Sequence, residues 1–340
     1  MYKKTDNINE SNGVFLTRNN NYLIEKESDN LLIISKLKDF DKIKLFELKD
    51  IFRISFLDEF IIFSTKSGET KFIRIIDFNQ IEINIKLSLT QLEEDKLYIY
   101  IKHKTHVYKI HKQKFEIQKK IIDKNMILEK VINDRLIFTT NHATKICIYN
   151  NYNFTDFLWQ KDISEYGLHQ GWNGLEKGKV NQIFLDNTTI YVLTGCSIVA
   201  FNLQKGSVLW HTQLNTYQSF GLLQDGYLYT SSNAYINKVD IKTGHIIYEV
   251  EAKPITINNE PYEMPLSEFV WHKDFIWSIM DTSPNALIKI DPKDGSYHEV
   301  VLLDTYGITR HCNPPKFYKN RMYLLDLDNT LHIFEHDEVE

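Results

Sequence analysis

At 340 residues, 43% hydrophobic and 13% aromatic, the chain can bury a large core, as two ordinary domains or as one closed repeat architecture. A net charge of -5, with lysines spread among carboxylates, excludes the basic footprint of a nucleic-acid binder and a polybasic membrane patch. No run reaches the roughly 18 apolar residues of a membrane span, and three distant cysteines (Cys147, Cys196, Cys312) suit a reducing compartment better than a disulfide framework. Residues 1–7 carry no apolar signal core and no lipid-attachment cysteine, so the expectation is a soluble cytoplasmic protein.

In chain order, one pattern recurs: an Asp or Asn, a short turn, then a strand rich in Ile, Tyr and Phe. It begins at Asn20, Asp58, Asp95, Asp134, Asp186, Asp225, Asp274 and Asn320, at intervals of 38, 37, 39, 52, 39, 49 and 46 residues. A period near 40 with strands and no helices predicts an all-β fold, a single β-propeller over residues 1–340 with four-stranded blades. The second unit reads as strands at 51–56, 60–64, 71–75 and 81–87, and the third as strands at 90–93, 97–101, 105–110 and 115–119. Residues 31–50 alternate at period two, which argues against helix.

Eight markers favour eight blades, with seven as the alternative, because the last unit ends after two strands at 322–325 and 331–334. An N-terminal strand, from residues 1–8 or 14–16, is expected to close the ring and leave no open sheet edge. The halves differ. Residues 1–156 hold two glycines, no proline and no tryptophan, and read as degenerate repeats; residues 157–340 hold the rest and read as clearer repeats with long inter-blade loops.

The best-preserved hairpin is Ser197–Trp210, in which the sequence places a turn at Lys205-Gly206 between two strands. Asn202, Asp240 and Asp291 each stand four residues before a glycine, Gly206, Gly244 or Gly295. With Ala200, Asn202, Lys205, Gly206 and Trp210 in register, this unit resembles the repeat of quinoprotein-like propellers. Asp240, Thr243, Gly244 and Tyr248 follow it with Tyr in place of Trp; Asp291 and Gly295 follow it without the aromatic. The resemblance covers residues 186–300 and implies a propeller in which the tryptophan docks between blades. Enzymes of that family carry pyrroloquinoline quinone and calcium, with a vicinal cysteine pair and Glu, Asn and Asp on the metal. No such constellation stands here, so no cofactor is expected. The assembly propeller with the same repeat carries a lipoprotein signal, and residues 1–7 have none.

Other constellations read as structure. His103, His106 and His111 lie among Lys102, Lys104, Lys109 and Lys112, which would repel a cation, so a solvated face is expected and not a metal site. Asp326, Asp328 and Asn329 lack the glycine and distal glutamate of a calcium loop and read as a turn. No phosphate loop, nucleophile elbow or zinc-protease motif occurs, and no catalytic residue is assigned.

The surplus length sits in three segments, 165–179, 253–267 and 304–315, each between the last strand of one unit and the first of the next. In a propeller such connections emerge on one face. They are rich in aromatics, Met and Arg, and Tyr166, His169, Trp172, Tyr262, Met264, Tyr306, Arg310 and His311 are the expected partner-binding residues. The competing reading has these loops fold inward and plug the channel or cap blade edges. The expectation is a monomeric, non-enzymatic bacterial protein that binds another protein, such as an immunity protein that neutralises a toxin. The alternatives are a carbohydrate- or small-molecule-acting enzyme with carboxylates such as Glu263 and Glu268 at the channel mouth, or a purely structural scaffold.

Overall fold

The computed structural model describes residues 2–9, 14–16, 22–28, 31–36, 42–47, 51–57, 59–65, 67, 69–75, 77, 79–83, 91–132, 135–140, 142–150, 156–171, 174–186, 188–218, 220–232, 235–252, 254–257, 260–262, 266–280, 285–309, 312–318, 320–328 and 330–336. Strands dominate them, and the one helical element among the described residues is a 3-10 turn at Leu303–Tyr306.

Seven sheets each take four consecutive strands, over residues 14–47, 51–83, 91–121, 126–162, 180–213, 220–251 and 270–302. Their strands are called A to D in chain order. The last three strands, Lys316–Tyr318, Arg321–Leu325 and Thr330–His336, become a four-stranded sheet only with Tyr2–Asn9, which lies beside Thr330–His336. The chain thus yields seven sheets of consecutive strands rather than eight. Val14–Leu16 belongs to the first of these, pairing with Leu23–Glu25, while Tyr2–Asn9 supplies the fourth strand of the last. The strands read at 51–87 and 90–119 fall within a residue or two of Ile51–Phe56, Phe60–Thr65, Thr70–Arg74, Gln80–Ile83, Gln91–Glu94, Tyr98–His103, His106–His111 and Ile117–Ile121, with 84–87 outside the described residues.

The recurring Asp has a mechanical role at the A–B turn. Asp95 Oδ1 accepts from the backbone N–H groups of Leu97 and Tyr98, at 2.8 and 2.7 Å, and fixes the turn before strand B. Asp225 and Gly226 both take positive φ, 50° and 81°, which matches the twist of the two strands that they join.

By packing, the chain divides into one unit of Met1–Asn7, His142–Ile146 and Trp159–Glu340, and another of Ile8–Asn141 and Cys147–Leu158. In the second unit, alternate residues of neighbouring sheets interlock: Phe60, Ile62 and Phe72 meet Ile99, Ile101 and Ile110, while Tyr100 and Val107 meet Leu128, Leu136 and Phe138. In the first unit the same period-two logic buries Tyr191, Leu193 and Ile198 against Leu228 and Val239, and Tyr229 and Ile236 against Ile276 and Ile288.

A repeated aromatic contact joins successive sheets of the first unit. Trp159 Nε1 donates to Leu203 O at 2.8 Å, Trp210 Nε1 to Ile241 O at 3.0 Å, and Tyr248 Oη to Pro292 O at 3.4 Å. Each ring from a D strand lies on the C–D turn of the next sheet. The turn glycine is required twice over: Gly244 has φ +72°, and a Cβ there would lie 2.6 Å from Trp210 Cε3. The inter-blade tryptophan is therefore in place, but Trp210 covers Gly244, and it is Trp159 that covers Gly206. The turn at 203–207 is also longer than a two-residue hairpin. Asn202 O accepts from Gly206 N at 2.8 Å, while Asn202 Oδ1 accepts from the N–H groups of Gln204 and Lys205.

Candidate protein-binding face

The first long connection leaves strand Phe157–Asp162 and turns back under close backbone packing. Gly178 fits against Tyr166, where a Cβ would lie 1.5 Å from the carbonyl oxygen; Gly167, at φ +71°, fits against the Thr194 carbonyl, 2.1 Å from such a Cβ. Tyr166 points inward, edge-on to Phe201 and His211 at ring separations of 6.4 and 5.1 Å. What emerges is a small hairpin, His169–Gly171 paired with Gly174–Glu176. The His169 ring sits 4.8 Å from that of Tyr217, its Nδ1 donates to Gly167 O at 3.2 Å, and its Nε2 lies 3.8 Å from Glu176 Oε2.

A buried polar layer holds these connections down. Gln218 is fully buried: its N–H donates to Gly195 O at 2.8 Å, its Nε2 to Thr216 O at 2.9 Å, and its carbonyl accepts from Asn181 Nδ2 at 2.7 Å. Asn237, also fully buried, donates through Nδ2 to Gln218 Oε1 at 3.1 Å. One sheet along, Ser278 Oγ donates to Ser267 O at 3.1 Å, and Ser267 Oγ accepts from Ile279 N at 3.0 Å. Burying polar groups is tolerable only when they are bonded, so these pairs fix where each connection lies. On top, apolar side chains are left in solvent: Leu175 is 71% exposed, and Leu168, Tyr217 and Phe220 are also exposed. The His169–Tyr217 ring pair joins the two segments that carry them.

The second long connection contains a hairpin of Ile255–Ile257 with Glu260–Tyr262, then Leu266, buried and bridged to Met280. Tyr262 pairs with Ile255 in that hairpin. Glu268 is exposed beside buried Phe269. The third connection folds in. Leu303, Ile308 and Cys312 are fully buried, Cys312 bridges to Asp326, and Tyr306 lies edge-on to Phe334 at 5.4 Å. Of the expected binding residues, Tyr166 and Tyr306 therefore pack inward, and His169 is half-buried against Tyr217. Trp172, Met264, Arg310 and His311, like Glu263, lie outside the described residues, as does the side chain of Tyr262. Sequence reasoning missed two exposed apolar groups, Tyr217 in a connection of ordinary length and Phe220 at the start of the strand that follows it. The signal for Tyr217 was an aromatic residue interrupting the polar run Asn215-Thr216-Tyr217-Gln218-Ser219.

The histidine group is not a solvated face. Lys102, Lys109 and Lys112 are all buried, and Lys112 Nζ pairs with Glu94 Oε2 at 2.7 Å. Burial first, then neighbouring lysines, push His103 and His106 below the ordinary imidazole range. His111 occupies the place that Asp240 and Asp291 hold in their sheets; its Nδ1 accepts from the N–H groups of Gln113 and Lys114 at 3.1 and 3.3 Å. Asp326 makes a turn, accepting from Asp328 N and Thr330 N at 2.9 and 2.8 Å and lying 2.8 Å from His332 Nε2. Cys147, Cys196 and Cys312 are buried and outside any disulfide, and burial pushes the Cys312 thiol up to about 12. Among the described residues, no three His, Cys, Asp or Glu side chains converge as a metal site.

No protein-family model matches the chain, and no curated protein matches it. Solved structures do. A crystal structure of the computationally designed Ika8 protein superposes with a TM-score of 0.69 at 9% identity, covering 99% of this chain and all of that one. The crystal structure of BamB from Moraxella catarrhalis superposes with a TM-score of 0.65 at 10% identity, with 99% of this chain and 100% of that chain covered. At these identities the likeness carries the fold alone, and the fold is a β-propeller of four-stranded blades.

Proposed function

We propose that this chain is a non-enzymatic, protein-binding propeller of the quinoprotein-like repeat type, and that it acts as an immunity protein, a cytoplasmic monomer that covers a toxin. In this reading the sheet completed by Tyr2–Asn9 counts as a blade, which makes eight. The observation that carries the binding reading is the set of exposed apolar side chains Leu168, Leu175 and Tyr217, on connections locked by glycine contacts and buried hydrogen bonds, with Phe220 exposed at the start of the adjoining strand. An apolar surface on a pre-ordered backbone favours recognition, because little loop entropy is lost on binding. Tyrosine adds contact area at low rotamer cost and is enriched among hot spots.

The test compares the tagged wild-type chain with the L175E/Y217A double variant. Leu175 is exposed, and Tyr217 adds a ring contact to His169 and a surface hydrogen bond to Asn181 Oδ1, so the variant should lose no more than about 1–2 kcal/mol and still unfold cooperatively. The wild-type chain should capture a partner from its host lysate, identifiable by mass spectrometry, and protect cells that express that partner; the variant should do neither. Equal capture and equal protection by the two proteins would remove this face from consideration.

A further inference from the structure

Strand D is an edge strand in each of the seven sheets of consecutive strands, and an edge leaves a row of backbone groups open to pairing. Four of these edges are bent. In the sheets over residues 14–47, 180–213, 220–251 and 270–302 the register of strand D against strand C shifts at a bulge, which turns the edge away from a straight template. Ile117–Ile121 has no such shift and pairs without interruption from Ile110↔Ile117 to His106↔Ile121. Gln80–Ile83 is also regular, but Ile83 is buried and Glu82 is tied to Lys71.

The hydrogen bonds beside this strand fix which groups are open. Glu116 O accepts from His111 N at 3.0 Å and Ile122 N donates to Thr105 O at 2.8 Å, so the even-numbered residues bond to strand C. The N–H and C=O groups of Ile117, Lys119 and Ile121 then point to the outer edge, where no strand pairs with them among the described residues. The side chains of the same three residues share one face, with Ile117 39% and Ile121 73% exposed and Lys119 exposed between them. Around them, exposed Lys104, Lys114 and Lys124 join Lys119 and outnumber exposed Glu116 and Asp123, although the net charge of the chain is -5. Lys120 is engaged elsewhere, its Nζ 4.9 Å from the centre of the Tyr149 ring. An edge lysine repels a strand of like sign and admits an acidic one, so it selects the charge of what pairs there.

We propose that Ile117–Ile121 is a docking edge for an extended segment of another polypeptide, which adds to the sheet as an antiparallel fifth strand. Apolar residues of that segment lie opposite Ile117 and Ile121, and a carboxylate lies opposite Lys119. The edge belongs to the second packing unit and does not depend on the connections proposed above to bind a partner. The test titrates the full chain with the peptide acetyl-Thr-Ile-Thr-Glu-Thr-Ile-Thr-amide, and with the same peptide carrying lysine in place of glutamate, followed by calorimetry and amide-exchange NMR. The acidic peptide should bind saturably and about fivefold more tightly than the basic one. At saturation the amides of Lys119 and Ile121 should exchange about tenfold more slowly, while those of Gln118 and Lys120, already bonded to strand C, should not change. Lys119→Pro removes one outward N–H and no bond to strand C, at an edge position that tolerates proline, and should abolish binding in a protein that still unfolds cooperatively. Lys119→Glu should reverse the preference between the two peptides, and it decides the matter where the proline variant fails to fold. Absence of saturation by the acidic peptide at millimolar concentration, equal binding of the two peptides, a preference that Lys119→Glu leaves unchanged, exchange at Lys119 and Ile121 that does not slow, or self-association of the chain alone through this edge would overturn the proposal.

Discussion

The contact between Trp210 and Gly244 makes a quantitative prediction about what holds neighbouring blades together. Trp210 is half-buried, lies 5.8 Å from the Tyr191 ring at a tilt of 34° and donates to Ile241 O. Trp210→Ala should cost about 2–4 kcal/mol, near the lower part of the range for large aromatic truncations because the ring is partly solvated. Gly244→Ala carries one penalty of about 1–2 kcal/mol for a Cβ at positive φ, a second of about 1–3 kcal/mol for the collision with the indole, and a third for the approach to Thr212 Oγ1 at 2.8 Å. Only the second depends on Trp210. In the double variant that collision is gone, so the two changes together should cost about 1–3 kcal/mol less than their sum. Trp210→Phe, which keeps a ring but leaves Ile241 O without its donor, should cost about 1 kcal/mol. Urea unfolding followed by far-ultraviolet circular dichroism measures all four corners of the cycle. Additivity to within about 0.5 kcal/mol would refute the docking argument, since sites that do not touch add to that precision.

The inward fold of the third connection and the outward hairpin of the first give opposite expectations for two apolar residues. Ile308→Ala, at a fully buried position, should cost about 2–4 kcal/mol, whereas Leu175→Ala, at a 71% exposed one, should change stability by less than about 0.5 kcal/mol; thermal unfolding of the pair checks both. His211 is exposed, but partial desolvation where its ring meets Tyr166 edge-on holds it below its ordinary value of about 6.5. Its protonation then favours the unfolded chain, so its contribution is intact above that ordinary value and is lost progressively as the pH falls below it. Unfolding free energy should decline between pH 7.5 and 5.5, with His103 and His106 contributing in the same sense, and His211→Gln should lessen that decline; an unchanged slope in the variant would exclude His211 as a contributor.

The strands were legible because their physics is local. A short apolar run at Tyr98–Ile101 and an Asp whose carboxylate accepts from the two following turn amides mark a hairpin without reference to anything distant. The interlocking of blades was only half legible. Trp210 could be read as a docking residue, but its partner could not, because the glycine that it covers belongs to the next repeat, 34 positions on. The connections were read by length, and length does not say which way a loop turns. Ile308 and Leu175 both look like apolar residues in polar surroundings; one fills the core around Phe334 and the other tips a hairpin. Tyr217 escaped notice because its connection has no surplus length at all.

The lysines show why repeats in both halves can depart from the motif and still fold. In the clearest hairpin, Ala200 pairs with Tyr191 on strand B and Trp210 on strand D, so a small side chain leaves room for the indole. The same position is Lys238 between Tyr229 and Tyr248, Lys289 between Trp277 and Glu299, and Lys109 between Tyr100 and Gln118. As the D-strand aromatic shrinks or disappears, the C-strand residue grows. The ammonium groups lie over strand-B rings, Lys238 at 4.3 Å from Tyr227, Lys289 at 3.9 Å from Phe275 and Lys109 at 4.1 Å from Tyr98. The alkyl stem fills the volume left by the indole, and the ring face offsets part of the cost of drawing a cation out of water. That cost is visible in Lys109 and Lys238, whose ammonium groups burial shifts below the ordinary lysine range. An alternation of lysine with isoleucine looks like a solvated strand only if the charge is assumed to face water. Here the exchange of alanine plus tryptophan for lysine plus a smaller residue conserves filled space rather than residue type, and it lets the repeat drift far from its motif while the blades stay packed.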